Sequence, residues 1–234
     1  IERALETSAT ITTLAGEGPP PEVHLVVSAR DLVRQVPAEW QENVKHRAVI
    51  SYADFLAEIR DPRRTGRIAS WFWTVQEVPQ ILARWGDDLP PERVHVVTVP
   101  PAGSPSGLLW RRFEEAFGLG GLDLDLHADR SNPSLGAAET ALVRRINRRV
   151  NRVLPPADYR PLVRELLAHR TLSRRTGSPR LALPPAATDW AMEQSARWVA
   201  ELRSRGYDVV GDLDDLLGTP PEEPVADPDH PRPR

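Results

Sequence analysis

The chain has 234 residues, enough for one domain or two small ones with a sizeable core. A formal charge of −3 and an isoelectric point near 6.1 give no global pull toward nucleic acid or an anionic membrane. The absence of cysteine excludes disulfides and thiolate metal sites, and no apolar run approaches the ~20 residues that span a bilayer.

Ile1-Glu2-Arg3 opens a mixed polar stretch without signal-peptide character, which together with the missing cysteines fits a cytoplasmic protein. The first residue is not methionine, so an upstream segment is expected. Lys45 is the only lysine, and the excess of Arg, Ala and Pro matches the codon bias of a high-GC bacterium.

Residues 1–15 read as the tail of a helix, and Gly16 to Pro21 as a loop. Val23, Leu25, Val26 and Val27 form a short apolar run, the pattern of a strand covered on both faces. Ser28-Ala29-Arg30-Asp31 makes a tight polar turn. Leu32, Val33 and Val36 then take helical spacing, which Pro37 is expected to interrupt or kink. Ser51 caps a short helix to about Arg60, and Asp61 to Gly66 is a polar loop. Phe72, Val75, Val78, Ile81, Leu82 and Trp85 predict one helix ending near Gly86. Arg93 to Val99 is a second strand, stopped by Pro100-Pro101, and Leu108 to Phe117 is a helix closed by Gly118.

Strand, helices, strand and helix in this order favour an α/β layer with a parallel sheet. Two strands do not complete a sheet, so the others are expected upstream of Ile1. Beyond a loop from Gly120 to Pro133, Ala137 to Leu154 reads as a helix with Leu142, Ile146, Val150 and Val153 as its apolar stripe. Tyr159 to His169 is a further helix. Asp189 to Arg205 is another, with Trp190, Trp198 and Leu202 inward and Gly206 as its stop. Tyr207 to Val210 is a brief extended piece and Asp212 to Leu217 a last turn. Residues 219–234 are Pro-rich, acidic and aperiodic, and read as a disordered tail after one domain over 1–218.

No P-loop, zinc-protease, nucleophile-elbow or dinucleotide glycine pattern is present. Five places hold candidate chemistry. Ser28 and Arg30 beyond the first strand suit a phosphate, since ligands of open α/β sheets lie past the strands' carboxyl ends; Ser28 or Asp31 is equally read as a helix cap. Val44-Lys45-His46-Arg47 is a basic cluster that either contacts an anion or is a solvated loop. Arg144, Arg148 and Arg152, with Arg145 and Arg149 beside them, could lie on phosphates or form a solvent face paired with carboxylates. Trp71 and Trp73 flank Phe72 and cannot easily share one face, so one can line a pocket; core packing of the pair is the favoured reading. Asn132 or Ser134 should cap the Arg-rich helix, and a helix start of this kind also suits an anion. His24 and His95 read as core or edge residues.

These residues together resemble the later part of a bacterial sulfotransferase of the actinobacterial type. Three segments carry the likeness. Val26-Val27-Ser28-Ala29-Arg30-Asp31-Leu32 is similar to the strand, turn and helix that hold a 3'-phosphate. Trp73-Thr74-Val75-Gln76 through Trp85-Gly86, then Arg93 to Val99, is similar to the helix and strand leading to an acidic turn. Asn132-Pro133-Ser134-Leu135-Gly136 resembles an Asn-x-Ser turn before a late helix.

The resemblance spans roughly residues 22–218. It implies a P-loop-like three-layer α/β fold, incomplete here, with a helix-rich second half. It also implies transfer of a sulfuryl group from the co-substrate 3'-phosphoadenosine 5'-phosphosulfate to a hydroxyl or amine, without a metal. Arg30, with Ser28 and Gln35, would hold the 3'-phosphate, and Lys45, Trp71 and Trp73 would face a small-molecule, glycan or lipid acceptor.

The chain departs from the pattern in four places. Ala29 stands where proline is usual, Gln35 replaces a serine, Pro100-Pro101 replace the acidic turn, and no Lys-Thr-Gly-Thr-Thr-like loop is present. A non-catalytic nucleotide- or protein-binding descendant is therefore the alternative. A nucleic-acid binder using the Arg144–Arg152 face is the third reading; with a net negative charge and no aromatic interleaving, nucleic acid is not an expected partner.

Overall fold

The computed structural model describes residues 22–124, 134–222 and 224–231. The chain is mixed α/β and groups into two compact units. One lies within Ile1–Asp31, Thr74–Leu122 and Ser195–Leu217 and carries the sheet; the other lies within Leu32–Trp73, Asp123–Gln194 and Gly218–Arg234 and is helical.

In the sheet unit, β1 (Leu25–Ala29), β2 (Val94–Thr98) and β3 (Asp208–Val210) run parallel in the order β1-β2-β3. The strand covered on both faces is β2, every residue of which is buried, whereas β1 is an edge strand whose Leu25, Val26 and Val27 are only half-buried. The difference follows from pairing: a central strand has a neighbour on each side and an edge strand has one. The third strand comes from the piece at 208–210, downstream of both others.

The expected single helix over 72–85 is two helices, α3 (Arg67–Gln76) and α4 (Val78–Gly86), parted at Glu77. Pro79 explains the break, because it lacks the N–H and clashes with the preceding turn. α4 leans on β1 and β2 at Gly86, where a Cβ would stand 3.1 Å from Val94 Cγ2 and 3.2 Å from Leu25 Cδ2. A short helix, α5 (Leu108–Ala116), packs on β2.

The helical unit begins with α1 (Leu32–Lys45), which runs through Pro37 instead of stopping there. One lost hydrogen bond is outweighed by a continuous buried stripe of Leu32, Val36, Trp40 and Val44. α2 (Tyr52–Arg60) starts as expected at Ser51, whose Oγ accepts from the Asp54 amide. α6 (Ala137–Val150) buries a face other than the expected stripe. Leu142 is 39% and Val153 79% exposed, while Thr140, Ala141, Val143, Arg144 and Asn147 are inside.

Buried amides account for this inversion. Gln41 of α1 donates to the Leu135 carbonyl at 2.9 Å and accepts from the Leu135 amide at 2.9 Å. Asn147 donates to the carbonyls of Val44 and Ala48 and accepts from the Tyr159 hydroxyl. Satisfied in this way, polar side chains dock α6 on α1 where an apolar stripe was expected.

A helical turn, Pro156–Tyr159, leads into the π-helical α7 (Arg160–Thr171), and α8 (Pro185–Arg205) starts four residues earlier than its apolar spacing indicates. The first turn of α6 follows Gly136, without a side-chain cap; Ser134 is exposed, and Asn132 lies outside the described residues. The expected tail helix at 1–15 also lies outside them.

The end expected to be disordered carries a packed residue. The Asp229 carboxylate accepts from the amides of Tyr52 at 3.0 Å and Ala53 at 2.9 Å, and it pairs with buried Arg144. A helix amino terminus and a guanidinium give a carboxylate enough partners to hold this chain segment in place. Among the described residues no helix is long and apolar enough to cross a membrane.

Candidate functional site

The carboxyl end of the parallel sheet is where an α/β layer places its ligands. β1 ends there at Ser28 and Ala29, followed by Arg30 and Asp31. Ser28 is exposed, Arg30 half-buried and Asp31 almost wholly buried. A hydroxyl and a guanidinium therefore reach the end of the edge strand together, a donor set suited to an oxyanion.

The neighbouring end of β2 is closed. The Thr98 hydroxyl donates to Asp215 Oδ2 at 2.8 Å and accepts from Arg112 Nη1 at 2.8 Å and from the Asp212 amide at 3.2 Å. Arg112 also donates to the Thr98 carbonyl at 2.7 Å and to Asp215 Oδ2 at 2.6 Å. Both charged side chains are about seven-eighths buried, at 13% and 12% exposure. Gly211 makes the approach possible: its φ is +118°, and a Cβ there would collide with Thr98 Oγ1 and the Arg112 guanidinium.

The other expected site residues lie in the helical unit. Gln35 is half-buried on α1. Lys45 is 1% exposed and donates to Glu42 Oε1 at 2.7 Å. Trp71 and Trp73 take opposite sides of α3, as their alternation requires. Trp71 is 60% exposed and lines a groove of about 70 Å³ with Glu39, Asn43 and Arg67. Trp73 is in the core, where its Nε1 donates to the Ile59 carbonyl at 2.9 Å and its ring meets Phe72 and Trp190 edge-on. Ser28 and Arg30 are the two of the six that belong to the sheet unit. Arg144, read as part of a basic face, is buried against Asp229, whereas Arg145, Arg148, Arg149 and Arg152 are exposed.

Sequence reading missed a polar row at the amino end of the sheet. Side chains alternate along extended chain, so Glu22 and His24 share a face with Val26. Val26 is opposite His95, and His95 opposite Asp208. His95 Nδ1 lies 2.6 Å from Asp208 Oδ2, and His95 Nε2 lies 2.7 Å from His24 Nδ1. The two ring centroids are 5.1 Å apart and the planes differ by 10°. With nitrogens this close, the rings meet edge to edge in nearly one plane, the geometry of an N–H···N bond. His24 Nε2 is 3.5 Å from Glu22 Oε2, and Glu22 Oε1 accepts from Arg93 at 2.9 Å. That His24 and His95 sit near the two strands was visible; their strand register was not.

Two other histidines flank Lys45. Burial, then the charge of Arg164, holds His46 below the ordinary imidazole value; burial, then the charge of Lys45, does the same for His169. Comparison with known proteins adds no relative: no family model, no curated protein and no solved structure matches the chain.

Proposed function

We propose that the chain is a sulfotransferase-like protein that binds 3'-phosphoadenosine 5'-phosphosulfate through its 3'-phosphate at Ser28 and Arg30. The observation that carries this reading is the position of those two side chains at the carboxyl end of a parallel edge strand. In the transfer, the sulfur–oxygen bond to the 5'-phosphate breaks and a bond forms from sulfur to an acceptor hydroxyl or amine. The products are adenosine 3',5'-bisphosphate, the sulfated acceptor and the proton the acceptor gives up. Ser28 donates one hydrogen bond to the 3'-phosphate and Arg30 a charge-assisted pair.

A second reading, nucleotide binding without catalysis, is favoured by the closure of the β2 end. Arg112 is ion-paired with Asp215 through Nη1 and the Thr98 hydroxyl is bonded to the same carboxylate, so their charge and dipole are turned toward Asp215 and away from a reacting group.

Calorimetry with adenosine 3',5'-bisphosphate tests the binding shared by both readings. Binding that weakens about tenfold or more in Arg30→Ala, as expected for one lost charge-assisted contact, supports the site. No heat from the folded wild-type chain rules it out. Sulfate transfer to a panel of phenols and amines then separates the two readings.

A further inference from the structure

The helical unit holds a second cluster of donors, independent of the strand-end reading. The closing turn of α1 supplies Lys45 and His46, and α7, which packs on α1, supplies Arg164 and His169. Lys45 is nearly inaccessible, yet its three ammonium hydrogens have one hydrogen-bonding partner among the described residues, Glu42. Arg164 Nε and His169 Nε2 are buried without a hydrogen-bonding partner. Arg164 makes no ion pair among the described residues, while its neighbours Arg160 and Glu165 face each other at 3.8 Å. The adjacent Arg47 is committed elsewhere: it donates to the Leu154 carbonyl and Asn151 and lies over the Tyr159 ring. Buried polar atoms without hydrogen-bonding partners in a folded protein call for a missing partner, and a cluster of positive charge calls for a negative one.

We propose that Lys45, His46, Arg164 and His169 form a binding site for a tetrahedral oxyanion, sulfate or phosphate, either free or as the terminal group of a larger ligand. The charged groups facing the two imidazoles are Lys45, Arg160, Arg164, Glu42 and Glu165. With Lys45 set against Glu42 and Arg160 against Glu165, Arg164 supplies the uncompensated positive charge. Oxygens of the anion accept from the guanidinium of Arg164, the free hydrogens of Lys45 and the imidazole N–H groups.

The site has a proton linkage with a definite sign. Without an anion, His46 and His169 resist protonation in the folded chain more than in the unfolded one. The unfolded chain therefore binds more protons as pH falls through the imidazole range, and the fold loses stability there. A bound anion favours the imidazolium forms, so binding takes up protons, tightens on acidification and offsets that loss.

Calorimetric titration of the full chain with sodium sulfate at pH 6 and pH 8 is the test. One site per chain, about tenfold tighter at pH 6, is expected, with about tenfold weakening at pH 6 in Arg164→Gln. The imidazole resonances of His46 and His169, followed by NMR at fixed pH, should move toward their protonated positions as sulfate is added. That readout needs no substitution and covers the case in which Arg164→Gln fails to fold. Adenosine 3',5'-bisphosphate as a second titrant distinguishes the sources: a larger ligand binds here only if Arg164→Gln weakens it. Sulfate binding that survives Arg30→Ala separates this site from the strand-end one. No sulfate binding to the folded wild type, binding unaffected by Arg164→Gln, or unmoved His46 and His169 resonances overturns the proposal.

Discussion

At the carboxyl ends of β2 and β3, Arg112, Thr98 and Asp215 form a buried knot; at the amino ends of all three strands, Glu22, His24, His95 and Asp208 form a row that opens to water. The chemistry is similar, a cationic or basic group held between oxygens, but the surroundings differ. Arg112 and Asp215 are 13% and 12% exposed, whereas His24 and Glu22 are 41% and 59% exposed. Burial makes the first cluster depend on completeness, because each lost partner strands a desolvated charge. Solvent makes the second tolerant, because water replaces whatever is removed. Polar groups at a sheet end are therefore informative only together with their exposure.

Substitutions rank the two ends. Arg112→Met leaves the Asp215 carboxylate buried without its cation and should destabilise the chain by about 3–5 kcal/mol, read from urea unfolding. If the loss is under about 1 kcal/mol, the knot does not hold this end of the sheet. Gly211→Ala should cost about 1–3 kcal/mol through its positive φ and the collision with Thr98 and Arg112. Amide exchange at Thr98 and Val210 would locate that loss at the carboxyl end. His95→Ala should cost about 1 kcal/mol, since the ring is largely buried but Asp208 is half-exposed and rehydrates. His24→Ala should stay within about 0.5 kcal/mol. A reversed order, with His24 costing more than Arg112, would break the contrast between the ends.

Elements with a local cause were legible in the sequence. Ser51 before Tyr52, Gly118 after α5 and Gly206 after α8 set boundaries through capping and left-handed φ, which neighbouring residues determine. The apolar run at 94–98 was also legible as a strand, whereas 207–210 was legible only as an extended piece and not as the third strand it supplies. Which strand would be central was not, because β1 and β2 are equally apolar and only pairing tells them apart. The buried face of α6 was misread because Gln41 and Asn147 satisfy carbonyls that no local pattern brings near them. Arg30 and Ser28 could be placed at a strand end from spacing alone. The unpartnered donors of Arg164 and His169 could not be foreseen beside Lys45, since that meeting depends on α7 packing on α1.

The row at the amino end is held together by its hydrogen atoms. Three links join Asp208 to His95, His95 to His24, and His24 to Glu22, and each needs one hydrogen. In their neutral forms the two imidazoles carry two between them. Asp208 accepts one from His95 Nδ1, and His95 Nε2 then accepts the other from His24 Nδ1, which leaves the last nitrogen facing a carboxylate with nothing to share. The two supplied links measure 2.6 and 2.7 Å and the third 3.5 Å. In that state the edge strand is stitched to its neighbour by a chain one hydrogen short, and the gap falls at the residue through which the polypeptide enters the sheet.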